Sequence, residues 1–127
     1  MMFIMTHHPS ISVLQSWGQS VQAQDMAAVL AHYHVDGTLW PTLSNELRTS
    51  TDRIQDYFDH FLPKVQGEVE WLSTHCQELS DTACICSGSY RFPLTDGPAD
   101  ARFTYVVTQN DAGDWKISHH HSSLMPN

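Results

Sequence analysis

The residues best suited to chemistry gather near the C-terminal end, in Trp115-Lys116-Ile117-Ser118-His119-His120-His121-Ser122-Ser123-Leu124. Imidazoles titrate near neutrality, so paired histidines suit proton transfer or hydrogen bonding to a ligand. Strand side chains alternate, which places His119 and His121 on one face and His120 on the other. Alternation alone leaves the inward face open. Trp115 and Ile117 share the His119/His121 face and favour it as the inward one. Arg102, in the preceding apolar stretch, can grip a carboxylate. Tyr57, Tyr90 and Trp40 can supply aromatic walls. The expected ligand-binding set is therefore Trp40, Tyr57, Tyr90, Arg102, His119 and His121. For proton transfer the candidates are His119, His121 and Asp36, with a tyrosine such as Tyr33, Tyr57 or Tyr90 as donor. Asp36-Gly37 reads equally well as a turn that closes a helix.

Other chemistries find less support. There is no Cys-x2-Cys or His-Glu-x-x-His spacing, and no glycine-rich phosphate loop. His32 and His34 would diverge on a helix. No metal site and no cofactor is expected. Three cysteines make no disulfide framework; Cys84 and Cys86 fall on one strand face and read as reduced, half-buried thiols. Lys plus Arg is 6 against 14 for Asp plus Glu, a net charge of −8 over 127 residues. That surface repels phosphate backbones and argues against nucleic acid as a partner. No apolar run approaches the roughly 20 residues of a membrane span. The apolar Met1–Met5 stretch lacks a basic start and a cleavage site, so it does not read as a signal peptide, and a cytoplasmic location is expected.

The elements that must position these residues follow from periodicity. Residues 1–9 read as a flexible leader and 10–127 as a single domain. Ser10 is the expected N-cap of a first helix, with Ile11, Leu14, Trp17 and Val21 on its apolar face. Asp25 caps a second, carrying Met26, Val29, Leu30 and Tyr33, which ends at Asp36-Gly37. Thr38–Trp40 is a short extended stretch. Ser50 or Thr51 caps a third helix, with Ile54, Tyr57, Phe58, Phe61 and Leu62 inward, stopped by Pro63. Strands are expected over 68–79, 82–92, 101–109 and 115–124, joined by short turns and therefore antiparallel. Helices followed by a meander predict an α+β fold with the helices on one face of a curved sheet. Phe103, Tyr105 and Val107 form an apolar stripe. One helical layer covers one sheet face only, so the stripe predicts a sheet-to-sheet homodimer.

Four stretches carry a family resemblance: Trp40-Pro41-Thr42-Leu43-Ser44-Asn45, Tyr57-Phe58-Asp59-His60-Phe61-Leu62, Ala101-Arg102-Phe103-Thr104-Tyr105-Val106, and Trp115 through Pro126. The chain resembles the association domain of calcium/calmodulin-dependent protein kinase II and its stand-alone bacterial relatives. The resemblance implies the nuclear transport factor 2-like, or cystatin-like, fold: a cone of about three N-terminal helices over a bent antiparallel sheet. It implies self-association, as a homodimer or a larger ring, and places His119 and His121 near a cavity for a small acidic or hydrophobic ligand. No kinase domain is expected ahead of the first helix, and hence no kinase activity. The alternative is a small enzyme acting on a hydrophobic carbonyl compound, like ketosteroid isomerases, polyketide cyclases or dehydratases.

Overall fold

The computed structural model describes residues 8–127; residues 1–7, most of the expected leader, lie outside the described residues. Helix α1 is Pro9–Gln22, α2 is Met26–Ala31 and α3 is Thr51–Phe61. Asp25 caps α2 by accepting from the Ala28 N–H at 3.1 Å, and Ser50 caps α3 by accepting from Arg53. Each satisfies an N–H that the helix itself leaves without a partner. The cap of α1 lies two residues before the expected one. His8 accepts the Ser10 N–H, Pro9 takes the first helical position, and the Ser10 side chain turns into the interior. Proline lacks the N–H that this position would leave orphaned, which favours the earlier start.

The described residues hold five strands, the first between α2 and α3: β1 Tyr33–Trp40, β2 Glu70–Ser80, β3 Ala83–Leu94, β4 Gly97–Gln109 and β5 Trp115–Leu124. They form one sheet in the order β1-β5-β4-β3-β2. The pairs β2–β3, β3–β4 and β4–β5 are antiparallel, as short connections require. β1 is the exception, running parallel to β5. This pairing also corrects the end of α2. Tyr33 belongs to β1, and Asp36-Gly37 lies inside the strand rather than in a turn. The long-range ladder to β5 overrides local turn propensity. Gly37 is required there, since a Cβ would stand 2.8 Å from the Ile117 carbonyl oxygen. The β3–β4 turn is also tighter than expected: Leu94 pairs with Gly97, whose φ of +118° disfavours any side chain.

The helices cover one face of the sheet. Leu14, Trp17 and Val21 of α1, Val29 of α2, and Ile54, Phe58 and Phe61 of α3 pack with Tyr90, Phe92, Phe103, Tyr105, Val107 and Ile117 from the strands. The Phe103/Tyr105/Val107 stripe is thus part of a single core, each residue 3% exposed or less. It needs no second subunit to cover it, and the physical argument drawn from it for a homodimer falls. The outer sheet face carries Arg102, Thr104, Val106 and Thr108 instead.

A further correction concerns β5. Val107 pairs with Ile117 but Val106 pairs with His119, so Ser118 is an extra residue, a β-bulge. A one-residue insertion exchanges the faces of everything beyond it. Ile117 points into the core as expected, but the next inward residues are His120 and Ser122. His119 and His121 face outward.

Candidate functional site

The inversion places a histidine at the centre of the cone. His120 is 3% exposed, and the Tyr105 ring stacks on its imidazole at 3.9 Å between centroids. Trp17 meets it edge-on at 5.2 Å. Its Nδ1 lies 3.0 Å from the Tyr33 hydroxyl and its Nε2 2.9 Å from the Tyr90 hydroxyl. Polar groups this deep must be paired, and their proton directions follow from one fixed end. The Trp17 indole N–H can only donate, and it donates to the Tyr33 oxygen at 3.1 Å. Tyr33 then donates to His120 Nδ1. His120 Nε2–H donates to Tyr90, and Tyr90 donates to Ser122 Oγ at 2.7 Å. Ser122 in turn is hydrogen-bonded to the Thr42 hydroxyl. A single file of hydrogen bonds thus runs from helix α1 through β1, β5 and β3 to Thr42, on the loop after β1. This assigns His120 as the neutral Nε2–H tautomer.

The environment enforces that neutrality. Burial pushes the His120 pKa well below the usual imidazole value, and the neighbouring His119 and His121 add to the effect. Burial likewise raises Tyr33, Tyr90, Tyr57 and Tyr105 above the ordinary phenol range. The Tyr105 hydroxyl is buried without a hydrogen-bond partner among the described residues. The hollow beside this network, between Trp17, Tyr57, Phe58, Tyr90, His120 and Ser122, is only about 10 Å³, at the lower limit for one water. The cone is filled by its own side chains.

Thr42, Tyr57 and Phe61 line both this hollow and a cleft of about 1120 Å³ at the mouth of the cone, and so stand as the gate between them. Tyr57 donates to the Thr42 carbonyl at 3.0 Å, which fixes this gate. Beside it stands Arg48, whose side chain is 9% exposed and whose guanidinium carbon lies 5.9 Å from the Tyr57 ring centroid. Arg48 Nη1 donates to Asp56 at 2.8 Å and to the Arg53 carbonyl at 3.1 Å; Nη2 donates to Ser44 at 3.2 Å. Its Nε is buried and has no hydrogen-bond partner among the described residues. The Glu46 carboxylate stands 3.8 Å from Nη2, so Asp56 and Glu46 both flank the guanidinium. Lys64 and Arg91 also line the cleft. Arg91 is held by Asp100 at 2.6 and 3.0 Å, whereas Lys64 makes no ion pair among the described residues.

The expected ligand residues divide into two groups. Tyr57 and Tyr90 stand at the gate and in the network. Trp40, Arg102, His119 and His121 are on the outer sheet face, where shallow open hollows hold Trp40 with His121 and Arg102 with His121. His119 Nδ1 is 2.7 Å from the Thr38 hydroxyl. Asp36 is exposed on β1, its N–H donating to His34 at 3.1 Å, away from both cavity and network. Sequence reasoning missed Arg48, His120, Ser122 and Thr42. The signal for Arg48 was its scarcity: one of 6 basic residues, placed in a loop of small polar residues. No local signal marked the bulge that turns His120 inward.

Comparison with known proteins assigns the family. Residues 8–126 match the model of the calcium/calmodulin dependent protein kinase II association domain, and the chain belongs to that family. The crystal structure of a protein from Xanthomonas campestris, described as such an association domain, shares 30% identity over 93% of this chain and 86% of its own, with a TM-score of 0.82. An NTF-2 like protein from Shewanella oneidensis is 19% identical over 91% and 96% of the two chains, with a TM-score of 0.76. A ketosteroid isomerase-like protein from Erwinia carotovora is 15% identical over 91% and 93%, with a TM-score of 0.74. The last two show the shared fold, nuclear transport factor 2-like or cystatin-like. No curated protein matches the chain.

Proposed function

We propose that this chain is a self-associating module whose cone mouth takes up a small molecule bearing an acidic group, without kinase chemistry of its own. The observation that carries the reading is Arg48. Its guanidinium, beside the Tyr57 ring on an open cleft that Lys64 also lines, favours an acidic group on a short apolar body. The ligand's acidic group is attracted by Arg48 and Lys64, which both line the cleft, and its body lies against Tyr57 and Phe61. Family membership supports self-association in general. A homodimer through the outer sheet face suits this chain, since the helices leave that face bare and Trp40 is 42% exposed there. A cytoplasmic location fits this reading, and no helix among the described residues is long and apolar enough to cross a membrane.

Calorimetric titration with short mono- and dicarboxylic acids tests the site. The expected outcome is binding that weakens at least about tenfold in Arg48→Gln, as loss of a charge-assisted pair requires. Equal binding by the variant would sink the reading.

A second reading, proton transfer on a hydrophobic carbonyl compound, rests on His120 between two tyrosine hydroxyls and requires the cone to open, since the hollow is about 10 Å³ and Nδ1 already accepts from Tyr33. His119, His121 and Asp36 stand outside the cone, so His120 would replace them as the base. Deuterium uptake by an enolisable cyclic ketone, lost in His120→Asn, is the outcome it requires.

A further inference from the structure

Away from the cone mouth, three thiols meet at the edge of the sheet. Cys76 on the edge strand β2 lies directly opposite Cys86 on β3, and Cys84 is two residues along the same face. Their sulfurs all lie within 4.8 Å of one another. The first turn of α1 closes over them. Ser10, fully buried, places its Oγ 3.4 Å from Cys86, 3.5 Å from Cys84 and 4.0 Å from Cys76. Behind the hydroxyl, His8 Nδ1 stands 2.9 Å from Ser10 Oγ.

Buried cysteines often act as small hydrophobes, and one or two here would require nothing more. Three that converge on one buried hydroxyl define a tetrahedron. An ion about 2.3 Å from each thiolate spaces the sulfurs roughly 3.8 Å apart and sets a fourth oxygen roughly 3.5 Å from each of them. The Ser10–sulfur distances already bracket that value, and the sulfurs need to contract by an ångström or less. Soft sulfur donors in tetrahedral array select zinc-class cations over magnesium or calcium. Three thiolates around a divalent ion carry one net negative charge, and the positive N-terminal end of the 14-residue α1 faces it.

We infer that Cys76, Cys84 and Cys86, capped by Ser10, form a binding site for a thiophilic divalent cation of the zinc class. Each thiol gives its proton to solvent as its sulfur takes up the metal, so binding releases three protons and changes no oxidation state. The site pins the first turn of α1 to the sheet edge. It is independent of the cleft and of the ligand proposed there.

The test uses the full chain, reduced and stripped of metal, titrated with cobalt(II) and then with zinc. Expected is saturation at one cobalt per chain, with thiolate-to-cobalt charge transfer and the intense visible bands of a tetrahedral site, bleached when zinc displaces it. Zinc should also raise the thermal midpoint. Cys76→Ser, Cys84→Ser and Cys86→Ser should each weaken uptake more than about tenfold. Since a buried substitution can unfold the chain, Cys84→Ala is read beside its own metal-free melt: a folded variant without the bands supports the site. Cobalt bound without charge-transfer bands, uptake that survives the cysteine substitutions in folded protein, or a Cys76–Cys86 disulfide in place of uptake each overturns it.

Discussion

His120 decides how this protein responds to pH and to substitution. Its pKa is held well below the ordinary 6.5 by burial, so the native state keeps it neutral where the unfolded chain would protonate it. The unfolded state therefore binds more protons in that window, and stability falls as pH drops below about 6.5. The slope from this one group approaches 1.4 kcal/mol per pH unit. His32 and His119 are shifted the same way, by burial first, and add to the trend. Urea unfolding between neutral and mildly acidic pH should show the decline, and His120→Gln should flatten it. A variant curve as steep as the wild type would place the proton elsewhere. Tyr90 links His120 to Ser122, and Tyr90→Phe leaves both without that partner. The expected cost is about 1–3 kcal/mol, the range for buried polar groups left unpaired, and a melt unchanged within error would show that the file of hydrogen bonds carries no stability.

At the scale of elements, Ser118 sets the orientation of the last strand. Deleting it restores strict alternation, which would drive His119 and His121 into the core and expel His120 and Ser122. The expected outcome is loss of cooperative unfolding; a deletion variant that melts like the wild type would mean the strand slips without penalty. The same residue shows what the sequence could reveal. The α1, α2 and α3 segments, the four long strands and the α+β architecture were legible, because apolar spacing and capping residues are local signals. β5 was placed over its full length. Its facing was not legible, since a bulge arises from pairing with a distant strand. The extension of β1 back to Tyr33 was hidden for the same reason: its backbone partners are some eighty residues away, as the His32 carbonyl accepting from Ile117 at 2.8 Å illustrates. Of the site, Tyr57 and Tyr90 were reached through residue type, whereas Arg48 depended on how the loop after β1 folds back: it is Arg48 whose backbone bridges to Leu39.

For the whole molecule, the outer sheet face is the exposed half of the architecture. Light scattering across a dilution series should give a mass of two chains or more, and Trp40→Asp, which puts a charge on that face, should shift it toward one. A monodisperse single chain at every concentration would remove the self-association reading. The strand order holds one more consequence. β5 follows the other four strands in chain order, yet it sits inside the sheet, between β1 and β4. A chain still emerging from the ribosome therefore holds β1 and β4 without the strand that joins them, and each keeps a row of bare amides and carbonyls. Non-local closure of this kind slows folding and prolongs the exposure of sticky intermediates. The sheet can close only once the segment beyond β4 has been made, so the ten-residue β5 acts as its closing strand.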